Sequence, residues 1–295
     1  MVTIDDFLDY LRFERNRSPL TVDSYAKSLG GFQQYFESRE GQLSWETVDS
    51  DVIRDWMESM MDKGDMASTV NNRLSAVRSF FRYALSRGLV DKDPAYNVVG
   101  PKKQKRLPSF LREEEMDRLL DTELMWPDGY EGCLARTIII ILYECGLRLA
   151  ELVGLDNQDV DFVNHQLKVT GKRNKQRIVP FGAELEAVIR DYQAAKAELP
   201  SADAAALLCS SKGERVSRTL VERIVAQSLS LVTTQKKRSP HVLRHTFATA
   251  MLNNGASLES VRRLLGHESV STTEIYTHTT FEQLSKVYRN AHPRA

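Results

Sequence analysis

Three observations predict a mainly α-helical chain with a small β-hairpin, divided into two domains. Apolar residues recur at three- and four-residue spacing over most of the 295 positions. β-Formers cluster only in QLKVT and QRIVPF, on either side of GKRNK. Between two helical regions lies VVGPKKQKRLPSF, where prolines, a glycine and cations break the periodicity. A chain of this length is expected to form about two domains, each able to bury its own core.

Composition narrows the class. Net charge is zero with 27% charged residues, so any polyanion contact must rest on local basic clusters and not on overall charge. Cys133, Cys145 and Cys209 are odd in number and widely spaced, which predicts reduced thiols with neither a disulfide framework nor a metal site. No stretch approaches the ~18 apolar residues of a membrane span. The start, MVTIDDFLDYL, is acidic and amphipathic where a signal peptide would be basic and then apolar, so a cytoplasmic protein away from membranes is expected.

Taken in order, Thr3 with Asp6 three residues on marks a helix start, and Ile4, Phe7, Leu8 and Leu11 follow on one face to about Asn16. Ser18-Pro19 opens a long second helix with Val22, Tyr25, Leu29, Phe32 and Phe36 inward, and Gly30-Gly31 as a place where it could bend. Ile53, Trp56, Met57 and Met60 mark a third helix; Val70, Leu74, Val77, Phe81 and Leu85 mark a fourth that stops at Gly88. Arg73, Arg78, Arg82 and Arg87 ride on this last helix, either as a solvated face or as phosphate contacts. The boundaries read as a bundle over 1–98, a linker over 99–110 and a second domain over 111–295. Lys102, Lys103, Lys105 and Arg106 make the linker attractive to a polyanion.

In the second domain REEEMDRLL begins a helix with an acidic first turn. ARTIIIILYECG is too uniformly apolar for a surface helix and reads as a central one ending at Gly146, with Arg148 just beyond. QLKVT and QRIVPF pair around a turn that carries Lys172. ELEAVIRDYQAAKAEL, TLVERIVAQSLSLV, the segment opened by Ser239-Pro240, residues 257 to 265 and FEQLSKVYRNAHP are helices, and ALLCS is a short strand. The last helix places Phe281, Leu284 and Tyr288 on one face.

The chemistry begins with HVLRH. His241 and Arg244, three apart on a helix, share a face. A cation that never deprotonates beside a residue titrating near neutrality suits a bound phosphate. His245, next to Arg244 and so on another face, reads as structural. His267 follows a glycine in LLGHESVSTTEIYTH, and Tyr276 lies in its threonine-rich end.

With these residues the chain resembles the tyrosine recombinases, the DNA breaking and rejoining family typified by Xer and phage integrases. CGLRLAELVGL is similar to the family's Gly-Leu-Arg-x-x-Glu-Leu box and contributes Arg148, while VTGKRNKQRIVPF is similar to its lysine-bearing hairpin and contributes Lys172. The resemblance implies a catalytic set of Arg148, Lys172, His241, Arg244, His267 and the nucleophile Tyr276, with Glu151 one turn past Arg148 steadying it. It also implies a SAM-like helical bundle that clamps DNA, a mixed helical and β-hairpin catalytic domain, and contacts to DNA from Arg73, Arg78 and the linker cations. Arg173 stands where the family often has glycine, which either alters the turn or adds a phosphate contact. Neither metal nor other cofactor is expected: the histidines and carboxylates lack metal-site spacing, there is no glycine-rich phosphate loop, and a phosphotyrosine conserves the bond energy.

The partners implied are a double-stranded recombination site, a homo- or hetero-tetramer with a paralogous recombinase through exchange of the C-terminal helix, and an FtsK-type DNA translocase. The role implied is chromosome dimer resolution during cell division. Alternatives are a mobile-element integrase or invertase, a type IB topoisomerase, and, from another class, an architectural DNA-binding protein with an inactive site.

Overall fold

A computed structural model describes residues 3–41, 43–102, 109–122, 125–171, 174–266 and 278–295. The chain forms two compact units, Met1–Arg106 and Leu107–Ala295. Lys172, His267 and Tyr276, with Lys103, Lys105, Arg106 and Arg173, lie outside the described residues.

The first unit is a helical bundle. Helix α1 (Ile4–Asp9) opens with the expected capping box: Thr3 Oγ1 accepts from the Asp6 N–H and the Asp6 carboxylate accepts from the Thr3 N–H. The helical run continues through a π turn, Tyr10–Glu14, and is over by Asn16, which has φ +45°. Helix α2 (Pro19–Glu40) starts on Ser18 and passes Gly30-Gly31 without a break. Helices α3 (Ser50–Asp62) and α4 (Ala67–Ser86) complete the bundle. Phe32, Trp45, Trp56, Phe80 and Phe81 interlock at its centre, Trp45 and Phe80 with ring centroids 4.2 Å apart.

Leu85, expected inside, is exposed, and Phe80 and Ala84 take the buried positions. Each i+4 step on a helix drifts by about 40°, so two steps from Val77 carry Leu85 past the edge of the apolar stripe.

Two side chains of α4 fasten the segment that leaves the bundle. Arg78 donates through Nε to the carbonyl of Ala95 at 3.3 Å and through Nη2 to that of Val98. Asn71 Nδ2 donates to the carbonyl of Pro101 at 2.8 Å. Gly100 passes so close that a Cβ there would meet the Asn71 amide. Arg73 pairs with Asp65 at 2.8 Å and Arg87 with Glu14 at 2.6 Å, so these arginines already have partners in the bundle, while Arg82 is exposed.

The second unit is built around α6 (Tyr130–Cys145), whose residues from Ile138 to Cys145 are all buried. Helices α8 (Ala183–Ala197), α9 (Arg218–Ser230) and α10 (Pro240–Asn253) pack on it, with α5 (Glu113–Asp121) contributing Met116, Leu119 and Leu120 to the same core. The expected hairpin is present as β2 (Gln166–Thr170) and β3 (Gln176–Pro180), paired Leu167 to Val179 and Val169 to Arg177. A third strand, β1 (Val160–Asp161), extends it into an antiparallel sheet of order β1-β2-β3.

ALLCS, expected as a strand, makes only isolated bridges, Asp156 to Ala206 and Cys209 to Arg215. Its backbone groups are shared among several partners: the Leu207 N–H donates to the carbonyl of Leu155, the Leu208 carbonyl accepts from the Val216 N–H, and Lys196 Nζ and Tyr192 Oη meet the Ala206 carbonyl and the Cys209 N–H, so no continuous ladder forms. The three cysteines are free thiols.

Helices α10, α11 (Leu258–Leu265) and α12 (His278–Ala291) enclose a smaller core of Phe247, Met251, Val261, Leu264, Leu284 and Tyr288. Leu284 and Tyr288 on the apolar face of the last helix are buried in this core within the single chain, Tyr288 wholly so. An apolar stripe must be covered, and in the single chain the covering is internal. Arg294 beyond the helix pairs with Glu184, Asp117 and Asp121 at 2.7, 3.1 and 2.6 Å. Among the described residues no helix is long and apolar enough to cross a membrane.

Candidate active site

The site starts where α6 stops. Gly146 adopts the left-handed conformation, φ +58°, that ends a helix with a sharp turn. Two residues on, Arg148 is the N-cap of a short helix, α7 (Leu149–Val153). Glu151, three residues into that turn, accepts from the Arg148 backbone N–H and from its guanidinium, both at 2.8 Å. The expected support of Arg148 by Glu151 is thus a direct contact.

Glu151 holds more than Arg148. Arg177, from β3, grips it with two parallel hydrogen bonds, Nη1 to Oε1 at 2.8 Å and Nη2 to Oε2 at 2.9 Å. Arg244 Nη1 stands 3.9 Å from Oε2. Burial would raise the Glu151 carboxyl, but the bonds and charge of Arg177, with those of Arg148, hold it at about 2.

The same three arginines also cover the end of α11. Arg177 Nε donates to the carbonyl of Leu264 at 2.8 Å, Arg244 Nη2 to that of Leu265 at 2.6 Å, and Arg148 Nη2 to that of Gly266 at 3.0 Å. These are successive carbonyls of a helix C-terminus, which lack partners within the helix and carry the negative end of its dipole. Three guanidiniums can therefore share one carboxylate. Three positive charges and one negative leave these four side chains at +2.

Exposure separates their tasks. The side chains of Glu151, Arg177 and Arg244 are 3%, 6% and 7% exposed, whereas Arg148 is 41% exposed. Burial lowers the Arg244 pKa to about 10, helped by the charge of Arg148 and opposed by Glu151, and it stays a cation at neutral pH. The excess positive charge of the cluster suits an anion, and Arg148 is its solvent-reaching member.

His241 lies in the first turn of α10, one turn before Arg244, and is exposed. The helix begins as expected at Ser239-Pro240, but Ser239 Oγ makes no cap bond and is buried without a partner. His245, read as structural, is exposed beside His241 with ring centroids 6.4 Å apart; burial, His241, Lys237 and Arg244 lower its pKa. The described neighbours of two undescribed candidates reach the cluster. Gly171, before Lys172, is placed so that a Cβ would lie 3.4 Å from Glu151 Oε1, and Gly266, before His267, supplies a carbonyl to Arg148.

Arg177 escaped the sequence reading. Alternation offered a signal, since QRIVP puts Arg177 in phase with Val179 on the strand's buried face, where a cation requires a carboxylate. Among the described residues no group of three or more His, Cys, Asp or Glu side chains could hold a metal ion.

Fold and cluster together show forked arginine donors, a geometry suited to a phosphate-like anion, presented by a mainly helical unit. The sequence matches two family descriptions, "Phage integrase family" over residues 109–283 and "Phage integrase, N-terminal SAM-like domain" over residues 4–88. The chain belongs to the phage integrase family, the tyrosine recombinases that cleave and rejoin DNA through a covalent tyrosine intermediate. It is 41% identical to the tyrosine recombinase XerC of Pelotomaculum thermopropionicum, over 100% of this chain and 99% of that one. It is 37% identical to the XerC of Chlorobaculum tepidum, over 99% and 94%. Its fold is shared with the XerH recombinase bound to its difH substrate in a post-cleavage complex, with TM-score 0.73 and 22% identity over 97% of this chain and 84% of that one. A λ integrase dimer bound to a core site gives TM-score 0.72 and 17% identity over 92% and 97%.

Proposed function

We propose that this chain is a site-specific recombinase of the Xer type, acting on a double-stranded chromosomal site in the resolution of chromosome dimers. The observation that carries the reading is the seating of Arg148 and Arg244 on Glu151 and the α11 terminus, next to Gly171 and Gly266, which precede Lys172 and His267 in the sequence. Full-length similarity to curated XerC proteins supports the biological role.

In this reading the scissile phosphate lies on the free N–H groups of Arg148 and Arg244, which neutralise its non-bridging oxygens as charge builds. The Tyr276 hydroxyl attacks phosphorus in line and passes its proton to His241. The bond to the 5′ oxygen breaks, Lys172 protonates that oxygen, and His267 donates a hydrogen bond to the phosphate. A 3′-phosphotyrosyl link and a free 5′ hydroxyl result, and the reverse attack by a hydroxyl from another strand rejoins the DNA. Exchange in pairs passes through a Holliday junction in a tetramer, homomeric or shared with a paralogue, and an FtsK-type translocase is its candidate activator. The helical bundle over 1–98 binds the duplex, and the linker cations Lys102, Lys103, Lys105 and Arg106 meet its phosphates.

The test is covalent trapping on nicked suicide DNA carrying the candidate site, in EDTA, with wild type and Tyr276→Phe. A shifted protein–DNA band on a denaturing gel for wild type alone is expected. Tight, site-specific binding with no adduct from either protein would overturn the enzymatic reading.

A further inference from the structure

We infer that Arg177 is a positioning residue for the cleavage step: it fixes Glu151, and through Glu151 it fixes the guanidinium of Arg148. The inference rests on the recombinase reading above.

A carboxylate that orients an arginine can rotate about its own side-chain bonds, and its partner then moves with it. Glu151 cannot do so here. Both of its oxygens are taken by the Arg177 fork at 2.8 and 2.9 Å, and Arg177 in turn is fixed by a third bond, Nε to the carbonyl of Leu264 at 2.8 Å. The three anchoring elements are separate in sequence: β3 carries Arg177, α7 carries Glu151, and α11 supplies the carbonyl. One buried side chain therefore sets the mutual placement of all three. Gly266 shows how close the fit is, since a Cβ there would lie 3.1 Å from Arg177 Cδ.

Substrate contact is not open to this guanidinium. Its Nε, Nη1 and Nη2 each donate to a protein acceptor, whereas Arg244, equally buried, commits Nη1 and Nη2 among the described contacts, and Arg148 reaches solvent with its side chain 41% exposed. Lysine could supply the charge at this position but not a planar fork that meets both carboxylate oxygens and a carbonyl together.

The test is a double-mutant cycle on the full chain. Wild type, Arg177→Lys, Arg148→Lys and the double variant are compared for single-turnover adduct formation on suicide DNA, with DNA affinity and melting temperature measured alongside. Displacing Arg148 by about 1 Å should cost on the order of 100-fold in cleavage rate. Arg177→Lys is therefore expected to lose roughly that factor with DNA affinity unchanged. In the Arg148→Lys background it should cost less than about threefold, because the residue it positions has already been altered. Wild-type cleavage by Arg177→Lys, or full multiplication of the two losses, would overturn the inference. Should Arg177→Lys not fold, the cycle is run with Arg177→Gln, which keeps a donor to Glu151, and the same outcomes decide. An absent adduct from wild type would instead count against the recombinase reading.

Discussion

The Arg244 guanidinium donates to the carbonyl of Gly146 at 2.6 Å, so an arginine of the candidate site is seated on the residue that ends the central core helix. A Cβ at Gly146 would come within 2.6 Å of Phe247 Cδ1 and 2.9 Å of Leu265 Cδ2, and φ is +58°. Phe247 lies on the helix of Arg244, and Leu265 is itself a carbonyl partner of that arginine. Gly146→Ala should cost about 1–2 kcal/mol for the left-handed backbone, with the clash in addition. Thermal melting is expected to show the loss, and adduct formation should fall further than stability, since relief of the clash moves Arg244. Unchanged melting would mean that the turn tolerates a side chain.

Glu151 is the only carboxylate among the four clustered side chains, and removing its charge leaves three guanidiniums facing one another. Glu151→Gln keeps an acceptor for the Arg148 N–H but should lower stability by about 3–5 kcal/mol, the usual result of breaking a buried pair on one side. A urea midpoint measures it. The pH dependence has a definite sign. The carboxyl is held at about 2, below its ordinary 4.5, so its contribution is complete above pH 4.5 and lost as pH falls from there toward 2. The wild type should lose its advantage over Glu151→Gln across that interval, and a constant difference between the two proteins would contradict the assignment.

Helix periodicity and caps made most of the fold legible: Thr3 and Ser18 each start the helix they were expected to start. Failures occurred where a partner distant in sequence decided the outcome. ALLCS has the composition of a strand, but its backbone bonds are divided between Leu155, Glu214, Val216 and the side chains of Tyr192 and Lys196, and it forms only isolated bridges. The partners of Arg73 and Arg78, Asp65 and the carbonyls of Ala95 and Val98, were likewise not legible in the sequence. Arg148, Glu151 and Arg244 were legible as motif positions. Arg177 was passed over: alternation puts it on the buried face of β3, but the carboxylate that pairs with it lies 26 residues away.

That difference among the α4 arginines can be measured. Arg78→Ala leaves the carbonyls of Ala95 and Val98 without their donor, at about 1–3 kcal/mol, and frees the start of the linker. Its main effect is expected on the melting temperature. Arg82 is exposed and its replacement by alanine should leave melting unchanged. If Arg82 meets a phosphate, Arg82→Ala should weaken DNA binding across all sequences and reduce the salt slope by about 1. The reverse assignment of stability and salt effects would show that Arg78, and not Arg82, faces the DNA.

The docking of α12 is tied to a buried acid. Tyr288 Oη donates to Glu144 Oε2 at 3.1 Å and the Gly182 N–H to the same oxygen at 3.3 Å, while Oε1 is buried without a partner. Burial raises the Glu144 carboxyl to about 8; these two bonds and the charge of Arg294 oppose the rise, and Glu184 adds to it. An acid with a raised pKa in the folded state binds more protons there than when unfolded. Its contribution is therefore complete below pH 4.5 and lost as pH rises through 8. Ionised Glu144, wholly buried beside Tyr288, would carry a desolvated charge, which is relieved if α12 lifts away. Glu144→Gln keeps acceptors for both donors and cannot ionise. Amide exchange in His278–Ala291, corrected for the intrinsic dependence on hydroxide, is expected to accelerate in the wild type between pH 6 and 8.5 and to stay level in Glu144→Gln. Equal acceleration in both proteins would separate the docking of this helix from the ionisation of Glu144.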